Sequence, residues 1–98
     1  MTDRTSANQG QVVREVEIIN TLGLHARPAM QMVDLASRFA CDMEIAKGEQ
    51  KVDAKSIMQV MTLAATQGTM LTFTADGADA EKAVKALADL IARKFDEE

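Results

Sequence analysis

Residues 12–30 read VVREVEIINTLGLHARPAM and contain three successive signals, namely an alternating pattern, a turn and a helical pattern. Glutamate alternates with valine or isoleucine over residues 12–20, which predicts a half-buried strand. The turn TLGLHA follows. Apolar side chains then recur at helical spacing over residues 28–39, which predicts an amphipathic helix with Pro28 in its first turn.

The remaining sequence continues this alternation of strands and helices. Residues 43–52 predict a short hairpin, the run 57–64 a second helix, TMLTFTA at 69–75 a strand, and residues 79–95 the longest helix. We expect Ser56 and Asp79 to be the N-caps of these two helices, Gly68 to end the first, and Arg93 and Lys94 to lie near the C-terminal end of the second.

The element order is therefore βαββαβα, which favours the α+β class. Its economical arrangement is an open-faced β-sandwich, in which one face of a four-stranded, mostly antiparallel sheet is covered by three helices.

Composition limits the class of protein. A chain of 98 residues with 47% apolar residues suits one domain, which we assign to 12–98, and the polar, aperiodic residues 1–11 predict a flexible arm. Cys41 is the only cysteine, so no internal disulfide can form.

Without a signal-peptide pattern or a run of about 20 apolar residues, we expect a cytoplasmic protein that does not enter the membrane. A net charge of -4 argues against nucleic-acid binding.

The only histidine, His25, lies in the turn before the first predicted helix. A metal site is not expected there, because no second histidine, paired cysteine or acidic residue stands nearby at ligand spacing. A hydrolase triad is also not expected, since no serine lies in an elbow motif and no carboxylate is placed by the sequence to orient the ring.

The position of His25 favours an anion site instead. A residue just before a helix, as His25 is here, faces the free N–H groups of the first helical turn and the positive end of the helix dipole. If the ring took a phosphoryl group, these N–H groups would donate hydrogen bonds to its oxygens, and Arg27 would supply a permanent cation.

Two motifs at this separation give the chain a specific resemblance. The first motif is GLHARPA at 23–29, and the second is AKSIM at 54–58 followed by TLAATQGT at 62–69. Together with the element order, these motifs resemble the HPr family. Members of that family are the histidine-containing phosphocarriers of the bacterial phosphoenolpyruvate-dependent phosphotransferase system. The resemblance covers about 12–95 and leaves out the polar arm and the last acidic residues.

The resemblance implies a phosphoryl carrier rather than an enzyme, with no cofactor and no metal, and we expect a monomer. His25 would accept a phosphoryl group on Nδ1 from phosphorylated enzyme I and pass it to a histidine of an enzyme IIA domain. It implies that Arg27 assists the transfer and that Pro28 helps to set the helix start.

Five further residues have an ordinary and a functional interpretation. Ser56 is an N-cap, worth about 1 kcal/mol, but it also matches the serine that an HPr kinase/phosphorylase modifies in many bacteria. A phosphate there would repel acidic partner surfaces, so we expect it to inhibit transfer. Methionines at helical spacing usually fill the core, yet Met30, Ile57, Met58 and Met61 lie near the site and predict an exposed docking patch.

The sequence does not decide between two branches of the phosphotransferase system, sugar uptake and nitrogen-related regulation. The motif GLHARP is typical of carriers for sugar uptake, whereas SIM, TLAA and the final DAEKAV resemble carriers of the regulatory nitrogen-related branch. A regulatory interaction module without phosphoryl transfer is a second class of function. An acylphosphatase-like hydrolase is a third, although the first loop lacks a glycine-rich phosphate cradle.

Overall fold

The computed structural model describes residues 11–97 of the protein. Strands and helices follow one another in the predicted order, βαββαβα. The strands are β1 (Gln11–Glu17), β2 (Asp42–Lys47), β3 (Gln50–Asp53) and β4 (Met70–Asp76). The helices are α1 (Ala26–Ala36), α2 (Ile57–Met61) and α3 (Ala80–Ala92), and a single further turn, Lys94–Asp96, follows α3.

The four strands form one sheet in the order β1-β4-β2-β3, and every neighbouring pair is antiparallel. Side chains along β4 alternate: Leu71, Phe73 and Ala75 are buried, whereas Thr72 and Thr74 are only half-buried. Helix α3 packs on β1 and β4, and α1 packs against both α2 and α3. The predicted α+β open-faced sandwich, with three helices and an antiparallel sheet, is confirmed.

The core lies between the sheet and the helices. Of the six methionines in residues 11–97, Met32 and Met43 belong to it and the other four are exposed, so the expectation that most methionines fill the core was wrong. Its largest fully buried side chains are Phe73, Phe95, Ile18, Met32, Ile45 and Leu63.

Several predicted boundaries differ from the structure. Helix α1 begins two residues before Pro28 and ends at Ala36, so Phe39 packs on the core from the turn beyond the helix. Helix α2 stops at Met61, well before Gly68, which is therefore not its C-terminal signal. Gln11 pairs with Asp76 in the sheet and does not belong to the predicted arm. The other arm residues, 1–10, lie outside the described part of the chain.

Asp79 occupies the N-cap position of α3, but its side chain does not cap the helix. Its carboxylate accepts hydrogen bonds from the backbone N–H groups of Ala40 and Cys41, at 2.8 and 2.9 Å. The bond from Ala40 is the main reason why the pKa of Asp79 lies below its ordinary value. Burial, with a contribution from Asp79, raises the pKa of the Cys41 thiol. Asp79 thus joins the start of α3 to the loop before β2.

No helix within residues 11–97 is long and apolar enough to cross a membrane.

Candidate functional site

His25 is the N-cap residue of α1, with extended backbone angles of φ -82° and ψ -171°. Its carbonyl accepts the N–H of Ala29 at 3.0 Å, whereas its side chain makes no capping hydrogen bond. The imidazole is 38% exposed. The ring therefore stands at the helix N-terminus and can be reached from solvent.

The first turn of α1 leaves donors available beside this ring. Neither the Ala26 N–H nor the Arg27 N–H has an acceptor within residues 11–97. Pro28, the third helical residue, has no N–H to satisfy, so it lies in the first turn without cost, as predicted. Two backbone N–H groups and the positive end of the helix dipole are thus free to bind an anion.

The turn before His25 is fixed by the segment that follows α2. Gly23 has a φ of +71°, and its Cα lies so close to Ala65 and Thr66 that a side chain would not fit. The N–H of the buried Leu24 donates to the Ala65 carbonyl at 2.8 Å. The motifs at 23–29 and 62–69, distant in sequence, therefore form one structural unit around His25.

A carboxylate contacts the imidazole, which the sequence did not predict. Glu97 Oε2 lies 2.8 Å from His25 Nε2, and the Glu97 side chain is only 13% exposed. The sequence placed no carboxylate beside the ring, because Glu97 comes from 72 positions further along the chain. It belongs to the acidic end that the resemblance left out.

Asn20 is a second residue behind the ring that the sequence analysis missed. It is fully buried, and its Nδ2 donates to the Gly23 carbonyl at 2.7 Å and to Glu97 Oε1 at 3.4 Å. Asn20 Oδ1 has no partner in the part of the chain that is described. Turning the amide over would set this oxygen against two acceptors, so the neighbours determine the orientation. Its signal in the sequence was weak, because an asparagine after a strand usually indicates only a turn.

Arg27 is exposed on the first turn of α1. Its guanidinium forms no ion pair with any of residues 11–97, so the charge is not committed to a structural role there. A guanidinium on the same turn as the free amides adds donors suited to phosphate oxygens.

The predicted docking residues are all exposed. Met30 is 56% exposed, Ile57 36%, Met58 79% and Met61 41%. They lie on α1 and α2, which pack against each other. Leu22, in the turn before His25, is a further exposed apolar side chain, at 70%, and was not predicted. Their exposure meets the requirement for docking, and docking itself stays a prediction.

Ser56 is the N-cap of α2, and its Oγ accepts the Gln59 N–H at 3.3 Å. The capping role is therefore confirmed, while phosphorylation at this hydroxyl is not tested by the geometry.

A metal site has no support in the described chain. Within residues 11–97, no three His, Cys, Asp or Glu side chains lie together in a way that would hold a metal ion.

Comparisons with known proteins agree with this geometry. A family model described as "PTS HPr component phosphorylation site" matches residues 12–93. Phosphocarrier protein HPr of Pseudomonas aeruginosa is 46% identical over 84 residues, which cover 85% of this chain and 93% of that protein. The HPr of Neisseria meningitidis serogroup A is 44% identical, with 86% and 94% covered.

Solved structures give the same result. The crystal structure of HPr-C-His from Thermoanaerobacter tengcongensis matches with a TM-score of 0.86 and 47% identity, covering 89% of this chain and 98% of that one. These matches define a phosphocarrier rather than a catalytic enzyme. The chain belongs to the HPr family, a component of the phosphotransferase system.

Proposed function

We propose that the protein carries a phosphoryl group on Nδ1 of His25, which it takes from phosphorylated enzyme I and passes to enzyme IIA domains. The observation that supports this most directly is the pairing of Nε2 with Glu97 at 2.8 Å. With Nε2 engaged, Nδ1 is the ring nitrogen left to react. The free N–H groups of Ala26 and Arg27, the two residues that follow His25, can donate hydrogen bonds to the phosphoryl oxygens.

The transfer is a displacement at phosphorus. The Nδ1 lone pair forms the new N–P bond, while the bond from phosphorus to the donor atom of phosphorylated enzyme I breaks and its electron pair stays on that donor atom. Hydrogen bonds from backbone amides and from Arg27 stabilise the charge on the phosphoryl oxygens. One arginine and one helix end are few contacts, so the group is held loosely enough to be passed on.

The exposed apolar side chains on α1 and α2 are the proposed contact surface for both partners. Methionine adapts its shape to different surfaces, which suits a carrier that must bind a donor and several acceptors in turn. Met30, Ile57, Met58 and Met61 would be covered in each complex.

Ser56 is the proposed regulatory site on this surface. Phosphate added by an HPr kinase/phosphorylase would introduce about -1.5 to -2 charges beside Ile57 and Met58. We expect Ser56→Asp to accept phosphoryl from enzyme I more slowly than wild type, and Ser56→Ala to keep the wild-type rate. Equal rates for all three proteins would remove the support for regulation at Ser56.

For the branch, we propose sugar uptake and its regulation, supported by Pro28 within GLHARP. The nitrogen-related branch is the alternative, supported by SIM, TLAA and DAEKAV in the same chain. Rates of phosphorylation by the enzyme I of each branch, measured side by side, distinguish the two.

The central experiment mixes the protein with phosphoenolpyruvate and enzyme I and records the intact mass. We expect a gain of one phosphoryl group that is lost in acid and absent in His25→Ala. If wild type gains no mass, phosphoryl carriage is refuted and a regulatory interaction module becomes the better account. Arg27→Ala should gain the same mass at a lower rate.

A further inference from the structure

We infer that Glu97 is a positioning residue for His25, which keeps the neutral imidazole in the tautomer with its proton on Nε2 and its lone pair on Nδ1. The inference rests on the proposed function, since it concerns the nitrogen that would attack phosphorus. It assigns a role to a residue from the far end of the chain, outside both sequence motifs.

The contact itself selects the tautomer. Glu97 Oε2 is 2.8 Å from Nε2, and an ionised carboxylate can only accept a hydrogen bond. The nitrogen facing it must therefore carry the hydrogen, and in the neutral ring the other nitrogen then has none. Nδ1, which makes no capping bond to the helix, is left with a free electron pair.

The carboxylate is held from its other side. Asn20 Nδ2 donates to Glu97 Oε1 at 3.4 Å, and the same amide is fixed by its 2.7 Å bond to the Gly23 carbonyl. Asn20 is completely buried, so this support is protected from water. A continuous chain of hydrogen bonds thus runs from the turn at Gly23 through Asn20 and Glu97 to the ring.

The backbone that brings Glu97 to the ring has an unusual conformation. Lys94, Phe95 and Asp96 have φ values of 57°, 56° and 60°, a left-handed turn made without glycine. Such angles are unfavourable for side chains with a Cβ and persist only where the surroundings hold them. Phe95, 1% exposed, provides that hold by inserting into the core. The turn redirects the chain after α3 so that the next side chain reaches His25.

Glu97 also has a role once the bond to phosphorus forms. When Nδ1 gives its electron pair to phosphorus, the ring keeps the hydrogen on Nε2 and acquires a positive charge. A carboxylate at 2.8 Å, little exposed to solvent, stabilises that charge. When the group leaves, the pair returns to Nδ1 and the ring regains the same tautomer. Glu97 would therefore favour transfer in both directions.

The test compares Glu97→Gln with Asp96→Asn. Both remove one negative charge near the end of the chain, but Asp96 is 65% exposed and pairs with Arg93, not with the ring. Glutamine keeps the shape of glutamate, yet its amide can either donate to Nε2 or accept from it. Because Asn20 Nδ2 donates to the other oxygen, the glutamine NH2 can take the place of Oε2, so Glu97→Gln no longer requires a hydrogen on Nε2 and leaves no cavity.

The first measurement is the nitrogen-15 chemical shift of both His25 ring nitrogens, recorded without enzyme I at a pH where the ring is neutral. We expect wild type and Asp96→Asn to have a single tautomer, with Nε2 protonated, and Glu97→Gln to have Nδ1 protonated in part or all of the molecules. The second is the rate of phosphoryl transfer from phosphorylated enzyme I, which should fall about tenfold or more in Glu97→Gln alone, because a carboxylate that fixes the tautomer of a reactive histidine contributes at least that much to its rate.

Identical ring shifts and rates in Glu97→Gln and Asp96→Asn would overturn the inference. Protonation of Nδ1 in Glu97→Gln together with a slower transfer would support it. If wild type takes no phosphoryl group, the proposed function fails, and the ring shifts still decide whether Glu97 sets the tautomer. The two failures are therefore distinguishable.

Discussion

Gly23→Ala is the substitution whose cost the structure defines most sharply. An added Cβ would lie 2.7 Å from the Ala65 carbonyl oxygen and 2.9 Å from the Thr66 Cα. Both are backbone atoms, so no side-chain rotation can relieve the clash. The φ of +71° adds a penalty of about 1–2 kcal/mol for any residue with a Cβ.

The clash also reaches a neighbouring hydrogen bond. The Leu24 N–H donates to the same Ala65 oxygen at 2.8 Å, and Leu24 is buried. If Ala65 moves away, this donor is left unsatisfied at a cost of about 1–3 kcal/mol. Alanine also lowers the conformational entropy of the unfolded chain, which offsets about 0.4–1 kcal/mol of this loss of stability. We expect the free energy of unfolding to fall by about 2–4 kcal/mol in all.

Urea denaturation followed by circular dichroism measures this loss as a shift of the midpoint at unchanged slope. Gly48→Ala is the matched control, since Gly48 also has a positive φ, +61°, but no atom lies within 4 Å of its added Cβ. It should lose only about 1 kcal/mol, the backbone penalty. Equal losses in the two variants would refute the steric argument. A Gly23→Ala protein as stable as wild type would refute the whole account of the turn.

Three other substitutions test separate features. Phe95→Ala should lower the free energy of unfolding by about 3–5 kcal/mol, measured by urea titration, because it empties a fully buried site. The pKa of Asp79 lies below its ordinary value of 3.8, so its contribution to stability is present above that pH and is lost as pH falls through the folded pKa. Asp79→Asn should therefore be less stable than wild type at neutral pH and lose less stability on acidification, in unfolding curves recorded between pH 6 and 2. Met58→Ser, at a side chain 79% exposed, should change stability by no more than about 0.5 kcal/mol yet raise the KM for transfer from enzyme I. Met70→Ser, 49% exposed at the start of β4, is its control and should leave that KM unchanged.

Local patterns predicted most of the fold because they record which side chains face the core. The alternation around Val16 and the cap at Ser56 depend only on residues close in sequence, and both were confirmed. The end of α2 was missed for the opposite reason. Leu63 and Ala65 are buried and continue the apolar pattern, but Ala64 turns left-handed at φ 47°. The helix itself ends at Met61, and the left-handed Ala64 then directs Ala65 to the turn before His25.

At the candidate site, the prediction reached His25 and its helix but not the residues behind the ring. A lone histidine before a proline at the start of a helical pattern is a local signal. Asn20 and Glu97 meet 77 positions apart, and neither belongs to a motif. Their contact depends on the left-handed turn after α3, which no pattern in Lys94, Phe95 or Asp96 predicts. Contacts made by tertiary packing alone leave no periodic trace in a sequence.

The contact of Glu97 with the ring has a practical consequence for attaching the protein to a surface or a reporter. A tag attached close behind Glu97 would lie next to the side chain that contacts His25. The other end of the described chain leads into β1 at Gln11, and a strand of seven residues at about 3.3 Å per residue separates it from the turn by about 20 Å. Attachment on the side of Gln11 is therefore the arrangement that leaves the contacts around His25 undisturbed.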